Sequence, residues 1–65
     1  MKIVVNDETV DVDDGTSVAD LLTTLGIPEK GIAVAVDWAV VPRSDWHLGL
    51  AAGASVKVVT AVQGG

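Results

Sequence analysis

Hydrophobic and polar positions change their period several times along the chain, and each change marks an element. Lys2-Ile3-Val4-Val5-Asn6 is rich in β-branched side chains, which suit a pleated, half-buried surface. Asn6-Asp7-Glu8-Thr9 then supplies turn formers. From Thr9 to Asp13 the pattern alternates strictly, with Val10 and Val12 on one side and Thr9, Asp11 and Asp13 on the other. A period of two predicts a strand with one buried face. The two segments form a hairpin in which Ile3, Val5, Val10 and Val12 share the buried face, while Lys2 and Val4 point away from it.

The period then becomes helical. Val18, Leu21, Leu22 and Leu25 recur at helical spacing as one apolar stripe. Ser17, with Asp20 three residues on, makes a capping box in which Asp replaces the usual Glu. Gly26 stands where a left-handed cap is wanted, and Pro28 prevents continuation. A helix with a single apolar face must lie on a sheet.

Beyond the helix, Ile32 to Val36 reads as a buried strand and Asp37 to Ala39 as a turn. Val40 and Val41 make a short extended piece that Pro42 stops. One helical turn is expected around Asp45 to Leu48, and Val56 to Val62 form the final strand. Trp46 is expected to close the open end of the roll, whereas Trp38 falls in a turn, as a partner contact or an exposed apolar residue. The order predicts one α+β domain over residues 1–65: a mixed sheet of about four to five strands with one main helix packed on it.

The final strand is apolar on both faces. Val56 and Val58 should face the helix, and Val59 and Ala61 should face away, beside Val4 on the first strand if those two strands pair. The open face of a half-covered sheet is normally polar, so this outward strip predicts a protein partner.

Size and charge narrow the function classes. A domain of 65 residues buries only about 60% of the surface its unfolded chain exposes, which leaves no room for a deep cleft within the core. A conventional enzyme is therefore not expected. With no cysteine, the chain has neither disulfides nor thiolate metal sites, and no side chain can carry a persulfide. The net charge of −5 opposes binding to a nucleic-acid backbone; it serves solubility and also suits a basic partner surface. Apolar runs are far shorter than the roughly 20 residues of a membrane span, and no leader pattern precedes the first strand. A cytoplasmic protein that binds no membrane is expected.

Two clusters look chemical and are not. Asp11-Val12-Asp13-Asp14-Gly15 resembles a calcium loop, but such a loop needs Gly at its sixth position and Glu at its twelfth. Counted from Asp11, Gly15 is fifth and Leu22 is twelfth. Its carboxylates instead favour the N-terminus of the helix. Ser44, Asp45 and His47 lie within one turn, without the spatial arrangement and oxyanion site of a catalytic triad.

The chain ends Ala61-Val62-Gln63-Gly64-Gly65. Fully extended, these residues reach about 16 Å. Gly64 and Gly65 lack a Cβ, so the walls of a partner's site can close on their backbone. A terminal carboxylate is an anion at neutral pH and a poor electrophile until it is activated, for example as an acyl adenylate. The tail reads as a reactive handle rather than a frayed end.

These features together are recognisable. "IVVND", "GTSVADLL", "VAVDWAVVPRSDW" and the terminal "GG" resemble the ThiS family, the ubiquitin-like sulfur carriers of thiamin (thiazole) biosynthesis. The resemblance covers essentially the whole chain, and "VVPRSDW" is its most specific part. The chain departs from the family in the turn before the last strand, where "AAGAS" replaces the usual acidic Gly-Asp turn.

The resemblance implies a β-grasp fold, with a flexible tail over about residues 61–65, and a carrier that is monomeric when free and binds no cofactor. A ThiF-type enzyme would use ATP to adenylate the Gly65 carboxylate. A sulfur donor fed by a cysteine desulfurase would convert it to a thiocarboxylate. A ThiG-type thiazole synthase would then take the sulfur. Gly64, Gly65, Gln63, Val62, Ala61, Val59 and Val4 are the expected partner contacts. The small subunit of molybdopterin synthase and a ubiquitin-like protein modifier are the alternative readings.

Overall fold

Two tight hairpins frame the sheet. In the computed structural model, which describes residues 1–60, strand β1 (Lys2–Val5) is followed after only two residues by β2 (Glu8–Asp11). Asn6 and Asp7 both have positive φ, 48° and 71°, the geometry a two-residue hairpin needs to match strand twist. The register sets Ile3 opposite Val10 and Val4 opposite Thr9. Ile3 and Val5 are buried, and Val10 and Val12 pack half-buried against the core, as the alternation predicts. The strand ends before Asp13 because only Val12 follows it into backbone pairing, donating its N–H to the Met1 carbonyl.

Helix α1 (Val18–Leu25) begins and ends at the expected caps. The Ser17 side chain accepts from the Asp20 N–H, and the Asp20 carboxylate accepts from the Ser17 N–H, at 3.1 and 3.3 Å. Gly26 closes the helix at φ 70°, where its missing Cβ avoids strain. Val18, Leu21 and Leu22 are buried, but Leu25 is 41% exposed. The buried apolar stripe is thus one residue shorter than predicted.

Strand β3 (Ile32–Val36) occupies its predicted bounds. The next turn is tighter than expected. Only Asp37 and Trp38 form it, at φ 49° and 73°, so β4 is Ala39–Val40 and not Val40–Val41. The helical turn also lies earlier than predicted. A 3-10 turn, η1 (Arg43–Asp45), starts directly after Pro42, whose φ of −59° already suits it. Strand β5 (Ser55–Thr60) completes the described chain. Its entry turn, Ala51-Ala52-Gly53, keeps Gly53 at φ 83° despite lacking the acidic residue.

The sheet order is β2-β1-β5-β3-β4. The last strand lies at the centre, parallel to β1 and antiparallel to β3. Under α1 the core consists of Ile3, Val5, Val18, Leu21, Leu22, Val34, Trp46, Ala54 and Val56. Trp46 is 5% exposed and plugs the open end of the roll. Its indole N–H donates to the Val41 carbonyl at 3.1 Å, and its own carbonyl accepts from Ala19 in the first turn of α1. The Arg43 guanidinium stacks over it, 5.2 Å from the ring centroid, and pairs with Glu29 at 3.0 Å. No helix among the described residues is long and apolar enough to cross a membrane.

Candidate functional site

Alternation along β5 creates the site. Val56 and Val58 turn toward the helix, so Ser55, Lys57 and Val59 project from the opposite, uncovered face. The neighbouring strands extend that face by register. Ala33 pairs with Val59, Ala35 with Lys57, and Val40 in turn with Ala35. Val4 pairs with Ser55 and Thr9. The result is a floor of half-buried Ala33 and Ala35 with Val59 and Val40 standing exposed beside it.

Val4 and Val59 share this face, as expected, but they are not neighbours. Val4 sits at the start of β5, and Val59 lies four residues further along, about 13 Å. Because the parallel β1–β5 ladder joins only Val4 and Val5, at the C-terminal end of β1, to Ser55 and Val56, at the N-terminal end of β5, the residue beside Val59 is Ala33 of β3.

Lys57 ties the middle of the face to both hairpin tips. Its ammonium is 3.0 Å from the Asp7 carboxylate and 5.4 Å from the centroid of Trp38. At the edge, Lys2 pairs with Asp11 at 3.5 Å. Both pairs are solvent-accessible and contribute little stability. Lys57, Val40 and Trp38 were not assigned to this face from sequence. The signal that finds them is the β3–β4 pairing, which requires the exact length of the intervening turn.

Ala61 follows Thr60, the last residue of this strand, in sequence. Ala61, Val62, Gln63, Gly64 and Gly65, the heart of the expected site, lie outside the described residues.

Elsewhere the surface offers little chemistry. Ser44, Asp45 and His47 are exposed on and after η1, and among the described residues no hydrogen bond joins their side chains. No group of three or more metal-binding side chains occurs among the described residues. A shallow hollow of about 290 Å³ lined by Val18, Val36, Val41 and Leu50 falls at the lower limit of ligand pockets. An open dish of about 400 Å³ near Asp13, Asp14 and Asp20 is walled mainly by carboxylates and hydroxyls, with no apolar residue other than Gly15 along it.

Comparison with known proteins agrees with this architecture. The crystal structure of a thiamine biosynthesis protein (ThiS) from Geobacter metallireducens superposes with a TM-score of 0.80 over 100% of both chains, at 23% identity. At that identity the likeness shows the shared β-grasp fold. No curated protein matches the chain. The family model described as "ThiS family" matches residues 1–65, and the chain, with one helix on a five-stranded sheet, belongs to the ThiS family of ubiquitin-like sulfur carriers of thiamin biosynthesis.

Proposed function

We propose that the Gly65 carboxylate carries sulfur as a thiocarboxylate. A ThiF-type enzyme consumes ATP to form the acyl adenylate and releases pyrophosphate. A sulfur nucleophile supplied through a cysteine desulfurase displaces AMP. A ThiG-type thiazole synthase then accepts the sulfur into the thiazole ring. All of this takes place in the cytoplasm, with the carrier acting as a co-substrate that is monomeric between encounters.

The observation that carries this reading is the ThiS-family match over residues 1–65, which includes the terminal Gly64-Gly65. The described fold supports it in two ways. The central strand feeds the tail beside an uncovered apolar strip, where a partner can hold the carrier while the tail enters its site. Sulfur must also ride on the main chain, since the sequence has no cysteine. Gln63, polar and just before the glycines, suits the mouth of the partner's site, and Ala61 and Val62 suit the approach to it.

Reconstitution tests the proposal. The protein is incubated with the adenylating enzyme, ATP, cysteine and the desulfurase, and its intact mass is measured. Replacement of one oxygen by sulfur is expected, followed by sulfur in the thiazole phosphate once thiazole synthase is added. Turnover only with the large subunit of molybdopterin synthase would overturn the pathway assignment, and stable lysine adducts in its place would make the protein a modifier.

A further inference from the structure

The tip of the second hairpin is not explained by folding. Trp38 is held at φ 73°, a region where a bulky residue is strained and Gly or Asn is usual. The first hairpin meets the same demand with Asn6 and Asp7, residue types that tolerate it. Within the second turn, Asp37 has a structural task. Its N–H donates to the Ser55 carbonyl, and its carboxylate accepts from the Ser55 N–H, at 2.8 and 3.0 Å. Trp38 has no comparable one. Its ring is 78% exposed, and Lys57 makes only the weak cation–π contact of a surface site. Strain at an exposed aromatic points to function more readily than to folding.

Its position is continuous with the face that leads to the tail. Lys57 links Trp38 to the row Lys57-Ala35-Val40, and the next row is Val59-Ala33. From Lys57 to Thr60 the strand runs about 10 Å. An ordinary interface of about 800 Å² per partner spans roughly 30 Å, so one partner can cover Trp38 and receive the tail together. The chain carries −5 overall, and the cations near this face, Lys2 and Lys57, are already paired with Asp11 and Asp7. A second copy of the chain brings like charge against like. An enzyme that must admit an anionic tail and a phosphorylated co-substrate has a positively charged entrance instead.

We infer that Trp38 is a docking anchor: its indole enters an apolar slot, rimmed by basic groups, on the thiazole synthase that receives the tail. Lys57, itself paired with Asp7, lies over the ring. The inference rests on the sulfur-carrier reading and adds to it a specific anchor and the chemistry of its receptor.

The test uses the full chain and a ThiG-type thiazole synthase. Trp38→Gly relieves the backbone strain, so its denaturation midpoint should be unchanged or higher, while its Kd for the synthase should rise about 30-fold, as for a hot-spot truncation. Trp38→Phe should recover part of the loss, and added salt should weaken the native complex. With 5-fluorotryptophan labelling, the Trp38 fluorine resonance should move on binding and that of buried Trp46 should not. Native affinity in Trp38→Gly, or a stationary Trp38 resonance in the complex, overturns the inference. So does a native dimer that Trp38→Gly dissolves, since the anchor would then serve a second copy. A native protein that neither gains sulfur nor binds the synthase removes the carrier reading itself, and the native control separates that failure from the others.

Discussion

The side-chain Oδ1 of Asn6 accepts a hydrogen bond from the Val58 N–H at 2.9 Å, in the place the Asn6 carbonyl would take if β1 continued beside β5. The backbone cannot continue, because Asn6 turns into the hairpin at φ 48°. One residue thus closes the turn and extends the central ladder by a bond. Asn6→Ala should lose about 2 kcal/mol, combining the bond with left-handed strain, and Asn6→Asp should recover much of it because the acceptor remains. Urea midpoints of the two variants check this; equal losses would show that the acceptor contributes nothing.

Trp46 should dominate stability. Scaling by length gives the domain roughly 3–10 kcal/mol in total. Removing a packed Trp costs about 3–5 kcal/mol, so Trp46→Ala should be largely unfolded at room temperature or very close to it. Trp46→Phe should fall between, since it keeps the ring but loses the bond to Val41. Far-UV circular dichroism through a urea titration measures both.

Val59 is 56% exposed, so Val59→Asp should leave the melting temperature within a few degrees of native. It should weaken binding to thiazole synthase at least tenfold, because a desolvated carboxylate would face the partner. Calorimetric melting and a binding titration separate the two effects. A variant that binds normally would remove Val59 from the interface.

Gly65 should be indispensable as the terminus. Deleting it, or appending one residue, should abolish the mass change to thiocarboxylate while the urea midpoint stays native, because the described fold ends before it. An extended protein that still gains sulfur would show that the activated group lies elsewhere.

Leu25 distinguishes pattern from packing. The apolar stripe alone predicts that Leu25→Lys is costly. At 41% exposure in the last turn of α1, which has no basic residue, the substitution should be within about 0.5 kcal/mol of neutral, helped by the helix dipole. Thermal denaturation decides.

Features encoded by neighbours in sequence were legible without a structure. Ser17 with Asp20 started the helix and Gly26 ended it, because caps are satisfied within one turn of chain. Alternation assigned Ile3, Val5, Val10 and Val12 to one face and sent Val59 to the other, because side-chain direction in a strand follows parity alone. The family could also be read from local motifs. Features that depend on long-range register could not. Val4 is opposite Ser55 and not near Val59 because β5 inserts parallel to β1, a pairing of segments some fifty residues apart that no local pattern encodes. Lys57 could be joined to Asp7 and Trp38 only once both hairpin tips were brought over the central strand. The uncovered face is a tertiary product for the same reason: its residues come from five strands, and their adjacency is set by sheet order rather than by sequence.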